Sequence, residues 1–352
     1  MNDIESANTD RLLIMRTEPR KYCILCGGSG EKIYDGLRDN LFGVPGCWNI
    51  MKCGNSRCGI AWVDPRPVED DITMAYIHYY THSMPKEKDQ FAVRKRAKHI
   101  LRLGYLSSEY GYPCSLSNWE KMFSRAMYLL PGQRAYLDFS IFYLPMVKGG
   151  RLLEVGCGRG DALLSMQQLG WTVEGIDLDP EAVEQAKKKG LNVKAGTLGA
   201  SHYLENSFDA VVMSHVLEHV YNPKELLVES RKLLKKSGYL VVVTPNLEGL
   251  GHRMFKQCWR GLEPPRHINI FTMSAMRDMA EAIEFDNYRV FSSIGGADYF
   301  YVTSKLAKMN ADKDYVRQAR LRKQGRLFQL LEWAYVHISP GLGEEIILIA
   351  KK

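Results

Sequence analysis

Residues 151–179 read RLLEVGCGRGDALLSMQQLGWTVEGIDLD, and this stretch decides the fold. The apolar run that starts at Leu152 is typical of a buried strand, and the glycine-rich turn GCGRG follows it at once. A helical pattern then leads to a second apolar run, 173–176, which ends at Asp177. The order strand, glycine turn, helix and strand predicts one βαβ half of a nucleotide-binding sheet.

The glycines and the acidic residue of this unit each have a physical role. Gly156, Gly158 and Gly160 allow the backbone to turn tightly and to approach a ligand where a Cβ would clash. Asp177 ends its strand at the carboxyl edge of the sheet, where it can accept hydrogen bonds from two ribose hydroxyls. A dinucleotide site favours G-x-G-x-x-G, whereas the spacing here is G-x-G-x-G, preceded by Glu154. An NAD-dependent enzyme is the alternative interpretation of the same turn.

Two further motifs lie downstream, FDAVV at 208–212 and HVLEHV at 215–220. Together with EVGCGRG and GIDLD, they resemble class I S-adenosylmethionine (SAM) methyltransferases, including ubiquinone-pathway O-methyltransferases and sugar methyltransferases. The resemblance implies an α/β fold with a doubly wound, seven-stranded, mostly parallel sheet and one antiparallel strand near its edge. It also implies SAM as the cofactor, and the candidate cofactor-binding residues are Glu154, Gly156, Gly158, Gly160, Asp177, Leu178, Thr197, Leu198 and Ser214.

Three histidines are candidate catalytic bases, because imidazole accepts a proton near neutral pH. His215 and His219 follow the fourth predicted strand, whose carboxyl end faces the methyl group in the family that the chain resembles. His267 lies on a proline-stiffened loop, EPPRHI. His215 and His219 are four residues apart and could instead bind a metal with a third ligand from elsewhere. Hydrogen bonds that only hold the loops in place are the structural alternative.

Two residues are candidates for contact with the methyl acceptor. Arg266, next to His267, is suited to pair with a phosphate or a carboxylate. Tyr76 belongs to an aromatic segment that could line an acceptor pocket, and ordinary packing of aromatic side chains is the alternative.

The cysteines near the amino terminus form two close pairs, Cys23-x2-Cys26 and Cys53-x4-Cys58. Two such pairs, each followed by glycine, are typical of a tetrahedral zinc site with four thiolate ligands. The segment between the pairs contains no histidine, which indicates a structural rather than a catalytic zinc ion. Cys47 could replace one of the four ligands, and four unligated cysteines in a small core are the alternative.

The composition is that of a globular protein with more than one domain. The 352 residues are 45% apolar and 25% charged, and no run of 18 apolar residues predicts a membrane-spanning helix. The amino terminus lacks the pattern of an export signal, and eight cysteines in a chain of this length favour metal or free thiols over disulfides. We therefore expect a cytoplasmic protein.

The net charge of +7 is concentrated in two flanking segments. Residues 86–102 contain seven basic and two acidic side chains, and residues 305–326 contain eight and two. Such segments suit a nucleotide, a phosphorylated lipid or a membrane face, although solvated helix faces explain them equally well. The second segment continues into a helical pattern with Leu327, Leu330, Leu331 and Ala334 on one face, which could contact a membrane, grip a lipid-linked substrate, or act as a lid or dimer helix.

These patterns divide the chain into a tail (1–20), a zinc ribbon (21–67), a helical connector or cap (68–131) and a SAM methyltransferase domain (132–352) with a helical insertion at about 303–337. The combination resembles zinc-ribbon methyltransferases of bacterial sugar and surface-polysaccharide biosynthesis. It implies methyl transfer to an oxygen or carbon of a small acceptor, such as an anionic sugar nucleotide or a lipid-linked glycan precursor. The alternative function is a SAM-binding scaffold whose ribbon binds a partner or nucleic acid; the ribbon is not markedly basic, which disfavours nucleic acid.

Overall fold

A computed structural model of the chain describes residues 15–39, 42–76, 92–285, 287–310 and 319–352. The strands in these ranges are β1 Thr17–Glu18, β2 Gly30–Leu37, β3 Trp48–Cys53, β4 Ala61–Asp64, β5 Arg66–Pro67, β6 Arg151–Val155, β7 Thr172–Asp177, β8 Asn192–Ala195, β9 Phe208–Ser214, β10 Leu234–Pro245, β11 Asn269–Ile270, β12 Asn287–Ser293 and β13 Glu345–Lys351.

The α-helices of the same ranges are α1 Ala92–Tyr110, α2 Asn118–Ser124, α3 Pro131–Ser140, α4 Asp161–Gln168, α5 Pro180–Lys188, α6 Pro223–Leu233, α7 Leu250–Phe255, α8 Met273–Ala282, α9 Ala297–Met309 and α10 Ala319–Ile338. Short 3-10 helices cover Glu69–Tyr76, Arg125–Leu129, Leu217–His219 and Lys256–Cys258. No helix of the described residues is both long enough and apolar enough to cross a membrane.

The central sheet has seven strands in the order β12-β13-β10-β9-β6-β7-β8. Neighbours from β10 to β8 are parallel, whereas β13 runs antiparallel to both β10 and β12. Helices cover both faces, so the parallel strands are near-continuous runs of buried aliphatic residues. The predicted doubly wound, mostly parallel sheet with one antiparallel strand near its edge is therefore confirmed.

The carboxyl ends of the parallel strands meet at one edge of this sheet. Val155 at the end of β6 pairs with Ile176 on one side and with Met213 on the other. The antiparallel β13 begins at the same edge, because Glu345 pairs with Pro245 of β10. Residues from distant parts of the sequence are therefore brought together where open α/β sheets bind their ligands.

The cysteine-containing segment packs into the rest of the protein more closely than a separate module would. Its sheet has the order β11-β4-β3-β2, so strand β11, from the loop after α7, completes it. The buried side chain of Arg20 donates a hydrogen bond to Asn269 Oδ1 at 2.8 Å. Trp62 and Cys58 belong to the same apolar core as Met276 of α8. The domain boundaries inferred from the sequence stay a prediction.

The predicted helical insertion is a pair of packed helices, α9 and α10, that flank residues 311–318, which lie outside the described ranges. On α10 the inward side chains are Leu321, Phe328 and Glu332, with Gly325 between them against the backbone of α9. The face that carries Leu327, Leu330 and Leu331 points outward.

Candidate active site

The glycine turn has the conformation that its sequence predicts. Gly156, Gly158 and Gly160 have φ values of 73°, 50° and 71°, the left-handed region in which L side chains are strained. A Cβ on Gly156 would lie 2.3 Å from Val216, and one on Gly160 would lie 2.3 Å from Leu191. The turn therefore requires glycine for both its backbone conformation and its close packing.

Asp177 fixes this turn from the neighbouring strand. Its Oδ2 accepts a hydrogen bond from the Gly158 amide at 2.7 Å, and its Oδ1 accepts one from the Asp179 amide at 2.9 Å. Burial raises the pKa of the Asp177 carboxyl, and these amide donors oppose the increase. A carboxylate offers about four acceptor positions, so the half-buried group can still receive two hydroxyl donors from a ligand.

Glu154 lies on β6, just before the turn, and its side chain is buried. Its Oε2 has no hydrogen-bond partner in the described structure. Burial, and then the nearby negative charges of Asp177 and Asp161, raise the pKa of Glu154 well above its usual range. A buried carboxylate oxygen without a partner, next to other acids, fits a cationic ligand, and SAM carries positive charge on its sulfonium and its ammonium.

The other predicted cofactor residues lie around the same edge. Leu178 is exposed directly after Asp177, and Ser214 is half-buried at the end of β9. Thr197 is exposed in the loop after β8, where its neighbour Leu198 points into the core. From a position in the core, Leu198 would contribute backbone groups rather than its side chain.

His215 is held between two buried carboxylates. Its Nε2 lies 2.9 Å from Oε1 of Glu345, and its Nδ1 lies 3.3 Å from Oε1 of Glu218. Burial alone would lower the pKa of His215, but the two carboxylates outweigh it and raise the pKa to about 10. The rings of Phe139 and Phe300 lie beside this imidazole, with centroids 6.3 and 6.2 Å from its own. A histidine that is already protonated at neutral pH cannot accept a proton, which disfavours the prediction that His215 is the base.

Glu218 is one of the two carboxylates that flank His215. Its side chain is fully buried, and its Oε2 accepts a hydrogen bond from Thr244 at 2.9 Å. Burial opposes ionisation, but the charge and hydrogen bond of His215 lower the pKa of Glu218 to about 2. Glu218 therefore holds the histidine turn in place as an anion.

His219 is half-buried and lies between Tyr76 and the backbone of Arg266. Its Nδ1 lies 3.0 Å from the carbonyl oxygen of Arg266 and 2.9 Å from Oη of Tyr76. Because a carbonyl only accepts hydrogen bonds, Nδ1 carries the proton and Nε2 keeps its lone pair. Burial lowers the pKa of His219, so the ring is neutral near pH 7. Tyr76 thus lies beside His219, and its role as an acceptor contact stays a prediction.

His267 is packed behind His219, with ring centroids 4.7 Å apart. Its Nδ1 donates to the carbonyl of Gly261 at 2.7 Å, and burial lowers its pKa well below the usual range. Ligand atoms of Glu218, His219 and His267 all lie within 4.8 Å of one another, so these three side chains could hold a metal ion. A metal at this position would use His267 and not the predicted partner His215.

Arg266 is turned away from the cleft. Its guanidinium is fully buried and donates to Asp39 Oδ2 at 2.8 Å, to Glu263 Oε1 at 2.7 Å and to the carbonyl of Ala75 at 3.0 Å. It also stacks over the ring of Phe42. This placement disfavours the prediction that Arg266 binds the acceptor, because its donors already have protein acceptors.

Sequence reasoning misses Glu345, which together with Glu218 raises the pKa of His215. The available signal is the pair Glu344-Glu345, of which Glu345 is the first residue of β13, because two carboxylates at the entry to a buried aliphatic strand require partners. It also misses Phe139 and Phe300, whose contacts with His215 no local pattern predicts.

The four predicted cysteine ligands converge on one point. The sulfurs of Cys23 and Cys58 are 3.6 Å apart, those of Cys26 and Cys53 are 3.4 Å apart, and all four lie within 4.8 Å of one another. Tetrahedral zinc with Zn–S bonds of about 2.3 Å separates its sulfurs by about 3.8 Å, so the cluster is compatible with zinc. Cys47 is exposed and lies outside this set.

Comparison with known proteins adds a family match for the middle of the chain. A family model described as a methyltransferase domain matches residues 128–290. This range includes the glycine turn, Asp177 and all three candidate histidines, whereas the cysteine cluster lies outside it.

The curated relatives match this same part of the protein. The ubiquinone biosynthesis O-methyltransferase of Xanthomonas oryzae pv. oryzae is 38% identical over 105 residues, 28% of this chain and 44% of the relative. The mitochondrial ubiquinone biosynthesis O-methyltransferase of Schizosaccharomyces pombe is 28% identical over 173 residues, 43% of this chain and 62% of the relative. The chain thus spans about half the length of the curated relatives it matches. Both are named for ubiquinone biosynthesis and not for sugar methylation.

Among solved structures, a SAM-dependent methyltransferase from Thermotoga maritima, described as a possible histamine N-methyltransferase, matches with a TM-score of 0.44 and 19% identity. The match covers 72% of this chain and 99% of that chain.

Proposed function

We propose that this chain, which contains a class I SAM-dependent methyltransferase domain, transfers the methyl group of SAM to an oxygen or carbon of a small acceptor. The observation that supports this most is the buried Glu154 oxygen without a partner, next to a glycine turn that Asp177 holds open. A site of this kind, with buried acidic side chains and a G-x-G-x-G turn in place of G-x-G-x-x-G, suits SAM better than NAD.

In this proposal the cofactor is held by residues at the ends of β6 and β7. The backbone of Gly156 to Gly160 approaches it, Asp177 accepts hydrogen bonds from the ribose, and Glu154 compensates its positive charge. When bound, SAM supplies an electrophilic methyl group on a sulfonium centre.

His219 is the base that the geometry favours. Its Nε2 lone pair takes the proton from the acceptor hydroxyl or activated C–H, and Tyr76 orients both the imidazole and the acceptor. His215, as a fixed cation between Glu218 and Glu345, positions the wall of the site. Phe139 and Phe300 exclude water from that wall, and most of the catalysis comes from holding the reactants in line.

For the acceptor we propose a sugar nucleotide or another glycan precursor. The wall formed by His215, His219 and Tyr76 is polar and rich in hydrogen-bonding groups, which suits a hydroxyl-bearing ring. The names of the curated relatives favour a quinone precursor as the second candidate.

We also propose that the cysteine cluster binds one structural zinc ion. The four sulfurs satisfy a tetrahedral metal, and a thiolate site of this kind persists in a reducing compartment such as the cytoplasm. The zinc ion would connect the two knuckles on which β2 to β4 and β11 are built.

The test combines binding and turnover on the full chain. We expect calorimetric titration to show that SAM and S-adenosylhomocysteine bind with Kd values on the order of micromolar, and that NAD does not bind. A screen of sugar nucleotides and phenolic quinone precursors should identify the acceptor by release of S-adenosylhomocysteine. His219→Asn should then lower kcat by about 10²–10⁴ and leave the Kd for SAM unchanged.

His99→Asn, on the exposed face of α1, is the matched control and should keep full activity. Unchanged turnover in His219→Asn would refute the role of His219. A protein that binds SAM but methylates no acceptor would favour the scaffold function.

A further inference from the structure

Helix α10 exposes an apolar stripe on its outward face. Leu330 is 50% exposed and Ile338 is 82% exposed, and Leu327, Leu331 and Tyr335 are similarly open. These side chains occupy the last three turns of the helix, whereas its inward face is formed by Leu321, Phe328 and Glu332. Contiguous exposed apolar surface of this kind marks a site of interaction.

The first two turns of α10 carry exposed basic residues. Arg320, Arg322, Lys323 and Arg326 are exposed there. Within the described helix the one acidic residue is Glu332, which is fully buried on the opposite face. The outward face of α10 is therefore cationic at one end and apolar at the other.

A second group of exposed apolar residues lies on α2, on α3 and between these helices. Trp119 on α2 is 71% exposed, Leu129 is 81% exposed, and Tyr136 on α3 is 66% exposed. Of these, Tyr136 lies on the helix that packs against α10, where the Gly132 backbone abuts Gln329. Exposed cations, Lys121 and Arg125, accompany them. Both groups thus combine exposed apolar and basic side chains.

This surface lies on the outer side of the helices that form the cleft wall. Tyr136 is exposed on α3, while Phe139 of the same helix contacts His215. Helix α9, which packs against α10, contributes Phe300, whose ring also lies beside His215. A body docked here would therefore lie close to the acceptor side of the site.

We propose that the α10 face, together with the exposed residues of α2 and α3, docks on the surface of a membrane that contains anionic phospholipids. Leucine, isoleucine and tryptophan side chains would enter the boundary between headgroups and acyl chains, and the Arg and Lys side chains would contact lipid phosphates. The surface is independent of the methyl-transfer proposal, because none of its residues contacts the candidate base or the cofactor turn.

The charge pattern argues against a second copy of the chain as the occupant. In a two-fold contact along α10, parallel helices would place the basic ends against each other. Antiparallel helices would bury the cations of one copy against the leucines of the other. An anionic lipid surface offers phosphates to the basic end of α10 and an apolar boundary to its leucine end.

The test is sedimentation of the full chain with two kinds of vesicle. One contains phosphatidylcholine alone, and in the other phosphatidylglycerol makes up about a third of the lipid. We expect binding to the anionic vesicles that weakens as salt is raised. The double variant Lys323→Gln/Arg326→Gln should weaken this binding about 30-fold, because each lost charge lowers the affinity roughly fivefold. Leu330→Ser with Leu331→Ser should weaken it at least about tenfold, because the buried apolar area is lost.

The control substitutions are Leu204→Ser and Lys224→Gln, which change equally exposed residues elsewhere on the molecule. Circular dichroism should show an unchanged fold in all variants. Failure of the unaltered chain to bind anionic vesicles would overturn the proposal, as would leucine variants that bind normally. A dimer in solution that the leucine substitutions dissociate, without vesicle binding, would assign the surface to a second copy.

Discussion

Replacement of Asp177 by alanine is the most direct perturbation of the cofactor site. The carboxylate is expected to accept hydrogen bonds from two ribose hydroxyls, and each hydrogen bond to a charged acceptor contributes ~1.5–3 kcal/mol. Loss of both corresponds to ~3–6 kcal/mol, or a Kd for SAM that is higher by about 10²–10⁴. The alanine also leaves the amides of Gly158 and Asp179 without their acceptor, so part of the loss arises from a looser turn.

The assay is calorimetric titration with SAM and with S-adenosylhomocysteine, alongside thermal unfolding. Asp179→Ala provides a matched control two residues away. Asp179 caps helix α5 by accepting from the amides of Glu181 and Ala182 at 2.9 and 3.3 Å. Its loss should cost about 1 kcal/mol of unfolding free energy and leave the affinity for SAM unchanged.

Asp177→Asn separates the two effects, because the amide keeps one acceptor oxygen for the turn but loses the charge. We expect an intermediate affinity for SAM. A Kd within about threefold of the unaltered protein for Asp177→Ala would refute the assignment of Asp177 to the ribose. Equal losses of affinity in the Asp177 and Asp179 alanine variants would show that the whole turn had been disturbed.

Two further substitutions test the metal site and the buried histidine. Cys53→Ser should abolish zinc binding, as elemental analysis would measure, and should lower the melting temperature. The control variant Cys47→Ser should keep the metal. An unaltered protein that contains no zinc would contradict the proposed metal site. Glu345→Gln removes one of the carboxylates that raise the pKa of His215 to about 10. The pKa of His215 in the folded state lies above its ordinary value of 6.5. The ion pairs of His215 therefore stabilise the fold fully below about pH 6.5, and this stabilisation is lost as the pH rises through 10. The variant should therefore lose about 1–3 kcal/mol of unfolding free energy at pH 6 and less near pH 10, as denaturant titrations would measure; a loss independent of pH would contradict the assignment.

The strand positions and the cofactor turn could be predicted because their signals are local. A glycine turn between two aliphatic runs, with an acid at the end of the second, requires the same backbone wherever it occurs. The paired cysteines are also local, and the structure brings all four sulfurs together as their spacing predicts. The outward stripe of α10 could be read from helical periodicity, but its exposure could not.

The roles of the histidines and of Arg266 could not be predicted from local sequence. His215 and His219 belong to one short motif, yet Glu218 and Glu345, the latter 130 residues away, raise the pKa of the first, while burial lowers the pKa of the second. Arg266 lies on a loop that looks open in the sequence, and Asp39, 227 residues away, binds it in the interior.

The sequence by itself therefore determined the alternation of strands and helices, the glycine turn with Asp177 beyond it, and the cysteine cluster, because short-range spacing sets backbone conformation; the strand order followed from the family resemblance. Only the tertiary structure decided which imidazole can accept a proton and which cation can reach a ligand. The physical reason is that pKa values and hydrogen-bond partners depend on burial and on charges contributed by distant segments, which no local pattern encodes.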